Sequence, residues 1–188
     1  MIGRTIAELR PGDRAEVTRV VEHDDIASFV DAVGDHNPVH SDAAYAASTP
    51  FGEPIAPGIF TAGLISAVIG TRLPGPGAIY LSQSLKFVKP VRAGDRVTAR
   101  VEIVEVIRDR NRLRMQTVCV NQRGEEVLSG EAWVMPAREP VIYEEGVTPP
   151  ARLAALVLGP WTWTARAWVW WGRSSLSALA EVTSAGRR

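Results

Sequence analysis

The sequence predicts an α+β protein in which an antiparallel sheet curls around one central, buried helix. The helix is read from residues 58–72, where Ile59, Phe60, Leu64, Ile65, Val68 and Ile69 are spaced by small residues and no charge appears before Arg72. A helix with no polar face is normally buried, and this one is too short to span a membrane. The sheet is read from residues 78–88, 95–107, 112–121 and 126–135, which are rich in Val, Ile, Thr and aromatic residues. Val97, Ala99, Val101 and Ile103 alternate with Thr98, Arg100 and Glu102, the period of a strand with one buried face. Short turns at Ala93-Gly94-Asp95 and Arg123-Gly124 join these segments, which predicts an antiparallel meander.

The elements ahead of the helix follow from local chemistry. Val17 to Val21 is a β-branched run after the turn residues Pro11-Gly12-Asp13. Residues 24–33 carry Ile26, Phe29, Val30 and Val33 at helical spacing, with Asp24 or Asp25 as the cap and Gly34 as the stop. Residues 35–57 contain Asn37-Pro38, Thr49-Pro50, Glu53-Pro54 and Ala56-Pro57, too much proline for a long helix or a central strand. This predicts an ordered loop with one helical turn around residues 43–47, and a loop of that length inside a domain is usually functional.

The domain is expected to occupy residues 1–140 of the 188, followed by an extension over residues 141–188 with a boundary marked by Pro149-Pro150. Five of the six tryptophans fall between Trp161 and Trp171, and no acidic residue occurs between Glu145 and Glu181. Three readings compete for this extension: a loosely packed tail, an amphipathic surface for a membrane or a partner, or a stretch read out of its natural frame. Lys and Arg balance Asp and Glu at 21 each, so nothing advertises the basic face of a nucleic-acid binder, and no nucleic-acid partner is expected. The single cysteine, Cys119, makes no internal disulfide and sits in no metal-ligand spacing, so no metal or cofactor is expected. The N-terminal residues lack the apolar stretch of a secretory signal, which points to the cytoplasm.

The chemistry concentrates in Gly34-Asp35-His36-Asn37-Pro38-Val39-His40. Asp35 and His40 place a carboxylate and an imidazole five residues apart on a proline-stiffened turn, the pair that general acid–base work on a water needs. Spacing alone leaves a second reading open, in which Asp35 and Asn37 make turn hydrogen bonds and His40 caps a backbone carbonyl.

With Phe51-Gly-Glu-Pro-Ile-Ala-Pro-Gly-Ile59, Leu73-Pro-Gly-Pro-Gly-Ala-Ile-Tyr-Leu-Ser-Gln-Ser-Leu-Lys-Phe87 and Pro90-Val-Arg-Ala-Gly-Asp-Arg-Val97, this segment resembles the MaoC-like hydratase family, which includes the (R)-specific enoyl-CoA hydratases. The resemblance spans roughly residues 8–136. It implies a hot dog fold, paired as a homodimer, and reversible hydration of short-chain trans-2-enoyl-CoA to the (R)-3-hydroxyacyl thioester. Coenzyme A then belongs to the substrate. Polyhydroxyalkanoate precursor supply and fatty acid metabolism both fit that activity. The resemblance also implies that Asp35 and His40 are the catalytic pair, that Ser66 lies beside them, and that the N–H of Gly58 polarises the thioester carbonyl. The physics agrees for Gly58: an N–H at the start of a buried helix stabilises negative charge developing on that oxygen.

Pro57 departs from the family, which often has histidine there. Two alternative functions share the scaffold: a 3-hydroxyacyl dehydratase acting on acyl-carrier protein, and a non-catalytic acyl-CoA-binding protein. Retention of Asp35, His40 and Ser66 together argues against the second. His36 and His23 are read as structural or surface residues, and Cys119 as core. Tyr80 and Gln83 lie near the expected acyl tunnel without a chemical signature. Arg72, Lys86, Lys89 and Arg92 are candidate contacts for the phosphates of coenzyme A.

Overall fold

The structure is a computed structural model that describes residues 1–143, all within one compact unit, Met1–Glu144. Strand β1 (Ile2–Gly3) is followed by β2 (Arg14–Val20), α1 (His23–Val33), a 3₁₀ turn at Pro38–His40, α2 (Ala43–Ala47) and α3 (Gly58–Thr71). Then come β3 (Ile79–Phe87), β4 (Arg96–Ile107), a 3₁₀ turn at Arg108–Arg110, β5 (Arg112–Val120), β6 (Glu126–Met135) and β7 (Val141–Ile142). The five long strands form one antiparallel sheet in the order β2-β4-β5-β6-β3. Among the described residues no helix is long and apolar enough to cross a membrane.

The core lies between this sheet and one side of α3. Val97, Ala99, Val101 and Ile103 of β4 and Leu113, Met115, Thr117 and Cys119 of β5 alternate inward and are buried, as a period of two requires. Ile65, Val68 and Ile69 of α3 complete the cluster, each contributing about 1.5–3 kcal/mol through burial. Asp25 secures the start of α1 by accepting the Glu22 N–H (3.1 Å) and pairing with Arg19. The cap position itself is Glu22, ahead of the Asp24 or Asp25 expected, and Asp25 completes a capping box with it.

Three expectations need correction. Strand β3 does not join the β4-β5-β6 meander beside β4; it pairs with β6 at the far edge, and the chain crosses the sheet between residues 88 and 95. Curling the sheet around α3 separates sequence neighbours in this way. Helix α3 is buried on one side only: Ile59, Gly63, Ser66, Ala67 and Gly70 are exposed in the single chain. Finally β7, which pairs with β1, lies just past residue 140, so the compact unit extends beyond the expected boundary. A two-residue strand has no periodicity of its own to announce it. The Trp-rich extension lies outside the described residues.

Candidate active site

Asp35 is delivered by the end of α1. Gly34 adopts a left-handed conformation (φ 72°), which closes the helix, and the N–H groups of Gly34 and Asp35 both bond the Val30 carbonyl. His40 is delivered by the next turn, where Asn37 caps a 3₁₀ turn begun by Pro38 and accepts the Val39 N–H (3.4 Å). Asp42 then caps α2 through the Tyr45 N–H (3.0 Å). These local devices bring Asp35 Oδ2 to 3.6 Å from His40 Nε2.

The opposite ring nitrogen faces a backbone carbonyl, with His40 Nδ1 2.8 Å from Ile55 O. A carbonyl only accepts, so Nδ1 donates. In the neutral ring this fixes the proton on Nδ1 and leaves the Nε2 lone pair toward Asp35. Two acceptors 3.6 Å apart do not bond each other directly. They suit one water that donates a hydrogen to each. The His40 side chain is only 10% exposed, whereas Asp35 is 46% exposed. The structural reading of His40 holds through the bond to Ile55 O, and its other nitrogen faces the Asp35 carboxylate.

Gly58 heads α3, after Pro57 as the capping residue. The Phe60 N–H turns back to the Pro57 carbonyl (3.0 Å), and the Gly58 N–H has no protein partner among the described residues. The Phe87 ring covers Gly58 so closely that a Cβ there would sit 2.6 Å from Phe87 Cε1, so a larger residue would have to displace that ring. Ile55, which holds His40, lies three residues before Gly58. Ser66 lies about two helical turns beyond Gly58, on the exposed side of α3. It makes no hydrogen bond to Asp35 or His40 among the described residues. The structure thus brings Asp35 and His40 to 3.6 Å of each other and shows no hydrogen bond from Ser66 to either.

Two clefts flank the segment that carries Ile55. One, about 380 Å³, is lined by Phe51, Ile55, Gly58, Ile59, Phe87 and Val88, an apolar groove against the start of α3. The other, about 480 Å³, is lined by His23, Asp31, His36, His40, Glu53 and Arg92 among others. His23 and His36 therefore border the same cleft as His40. Tyr80 and Gln83 are bonded to each other on β3, and Gln83 Nε2 donates to the buried Thr117 Oγ1 (2.9 Å). Burial, followed by the nearby Cys119, pushes the Tyr80 phenol up to about 12. Of the basic residues expected to face phosphates, Lys89 pairs with Glu125 and Arg92 with Glu53. Among the described residues no cluster of three or more His, Cys, Asp or Glu has metal-binding geometry.

An antiparallel sheet packed on a central helix, with an Asp–His pair beside the segment that leads into that helix, is the arrangement of a hot dog protein. The family model described as a MaoC like domain matches residues 8–125, and the chain belongs to that family. It is 47% identical over 133 residues to the 3-hydroxybutyryl-CoA dehydratase of Methylorubrum extorquens, covering 70% of this chain and 84% of the relative. It is 45% identical over 132 residues to the (R)-specific enoyl-CoA hydratase of Rhodospirillum rubrum, covering 70% of this chain and 91% of the relative. The unliganded R-hydratase of Pseudomonas aeruginosa superposes with a TM-score of 0.73 at 45% identity, covering 79% of this chain and 96% of that one.

Sequence reasoning named Arg92 only as a phosphate contact and did not single out Ile55 or Glu53. The contribution of Ile55 is a backbone carbonyl, to which its side chain gives no clue. The proline-rich stretch from residue 50 to 57 was the one available signal.

Proposed function

We propose that this chain catalyses the reversible hydration of short-chain trans-2-enoyl-CoA to (R)-3-hydroxyacyl-CoA, with the attacking water held between Asp35 and His40. The observation that carries this reading is the 3.6 Å gap between Asp35 Oδ2 and a His40 Nε2 whose partner nitrogen is tied to Ile55. The pair takes one proton from the water as its oxygen bonds the β-carbon, and one proton returns to the α-carbon. Proton transfer is assigned to the pair together, and neither group is given a separate step. Negative charge builds on the thioester oxygen meanwhile, and the Gly58 N–H with the α3 dipole behind it is the donor suited to that charge. The apolar groove beside Gly58 fits a pantetheine or acyl chain. The short chain length is supported by the 3-hydroxybutyryl-CoA dehydratase of M. extorquens at 47% identity.

The same reading makes the protein a homodimer. Ile79, Leu81, Phe87 and Val88 leave an apolar edge on β3, and Ile59 is 57% exposed on α3. An unpaired apolar edge of this kind is covered by a second copy across a two-fold axis. Ser66 lies on that uncovered side, so its contribution to the site depends on pairing. A cytoplasmic setting suits the one free, buried thiol, Cys119.

Hydration of crotonyl-CoA, followed by chiral analysis of the product, tests the function. Turnover to the (R) product supports it, and an (S) product or no turnover overturns it. Faster turnover of the same acyl group on acyl-carrier protein would assign the dehydratase role, and binding without turnover would leave an acyl-CoA-binding protein.

A further inference from the structure

We propose that Arg92 is a positioning residue for His40, acting through the segment 51–56 whose Ile55 carbonyl orients the imidazole. The inference rests on His40 being part of the site.

The chain of contacts is continuous. Arg92 Nη2 donates to the Phe51 carbonyl (3.0 Å), and Arg92 Nε lies 2.6 Å from Glu53 Oε1. The Ala56 N–H donates to the Val91 carbonyl (2.7 Å), so the segment is held to the Val91–Arg92 backbone at its far end as well. Between those anchors the Ile55 N–H bonds the Val39 carbonyl (3.2 Å) while its own carbonyl takes His40 Nδ1 (2.8 Å). The base of the chain is rigid. The Arg92 N–H bonds Asp95 Oδ2 (2.9 Å), the Asp95 N–H bonds the Arg92 carbonyl (3.1 Å), and Gly94 and Asp95 both pair with the fully buried Val21 after β2.

Stability alone does not account for this arrangement. The Arg92–Glu53 pair is partly exposed, and such pairs stabilise little. Arg92 Nε is also buried and out of line with Glu53, without an aligned acceptor among the described residues, which is a cost. The guanidinium fixes where residues 51 and 53 stand, and so where the Ile55 carbonyl points. That carbonyl decides which nitrogen of His40 carries the proton. The contacts also turn Arg92 inward, away from the role of phosphate contact that the sequence suggested.

The test uses full-length protein labelled with ¹⁵N-histidine, comparing wild type with Arg92→Ala, Arg92→Lys and Glu53→Gln, and with Arg100→Ala on the outer sheet face as a control. Arg92→Ala is expected to lower kcat by about ten- to a hundredfold, with KM changed less than about twofold, because misplacing a reacting group by about 1 Å costs up to about a hundredfold. The His40 ring nitrogens, assigned with His40→Gln, are expected to shift toward a mixture of tautomers. Arg92→Lys keeps one donor and is expected to fall between, Glu53→Gln to lose less, and Arg100→Ala to lose nothing. Unchanged His40 nitrogen signals in Arg92→Ala overturn the proposal, whether or not kcat falls. A raised KM at constant kcat also overturns it, in favour of a phosphate contact. Shifted signals with full turnover leave the positioning intact and remove His40 from catalysis. If Arg92→Ala fails to fold, Arg92→Lys is judged on the same readouts: shifted signals with lowered kcat support the proposal, and wild-type signals overturn it.

Discussion

In the turn from Gly34 to Asp42, the backbone polar groups find partners within a few residues: Asp35 N–H on Val30, His40 N–H on Asn37, Ser41 and Asp42 N–H on Pro38. Along the outward side of α3 and the β3 edge the reverse holds, with Ile59, Gly63, Ser66 and Ala67 exposed and Phe87 53% exposed. The opposite edge of the sheet sharpens the contrast. On β2, Arg14 pairs with Glu102, Glu16 with Arg100, and Thr18 with Thr98, a solvated ladder that resists pairing with another strand. One half of the candidate site is thus complete in a single chain, while the other half is left apolar and uncovered. The difference teaches that the Asp35–His40 pair and the surface around Ser66 answer to different perturbations.

The strongest separation should come from the pair itself. Asp35→Asn and His40→Gln are each expected to lower crotonyl-CoA turnover by about 10²–10⁴-fold while circular dichroism and the sedimentation coefficient stay at wild-type values. A dimer lost in either variant would mean that the turn is not self-contained. Leu81→Lys on β3 acts on the other half. A charge on that edge is expected to shift sedimentation at micromolar concentration from dimer to monomer and to lower turnover with it. A fully active monomer would show that the uncovered surface is not needed.

A smaller effect is expected from Asn37→Ala, which removes the cap of the 3₁₀ turn. Denaturant unfolding should show a loss of about 1 kcal/mol, with a fall in kcat because His40 loses its fixed approach. Cys119 probes the closed side of the molecule. Burial pushes its thiol up to about 12, so it should resist alkylation at pH 8 in the folded protein and react once the chain is unfolded. Rapid labelling of the native state would mean that the sheet opens over α3. The smallest effect is expected from deleting residues 146–188, since β7 and the compact unit end before them. Turnover and melting temperature should match the full chain, and loss of either would give the extension a structural role.

Much of this was legible beforehand. Gly34 could stop α1 in a left-handed turn wherever that helix packed, and Asn37-Pro38 could start a 3₁₀ turn without help from distant residues. The alternation in β4 announced its buried face because a strand imposes a period of two. Asp35 and His40 were visible for the same reason, five residues apart on a locally determined turn. Three features escaped. Position of β3 beside β6 depends on how the sheet curls, and no stretch of sequence encodes its neighbour. The uniformly apolar α3 was expected to be buried all round, since sequence cannot separate a face covered by its own sheet from one left for a second copy. Arg92 looked like any basic residue in a turn until folding brought it against Phe51 and Glu53, forty-one and thirty-nine positions earlier.

The sequence by itself determined the elements and the chemical identity of the pair, because caps, turns and periodicity act over a few residues. Tertiary structure decided what those groups face. The Ile55 carbonyl that sets the proton on His40, the Phe87 ring packed over Gly58, and the exposed side of α3 all arise from contacts between segments distant in the chain, whose geometry exists only once the sheet has closed over the helix.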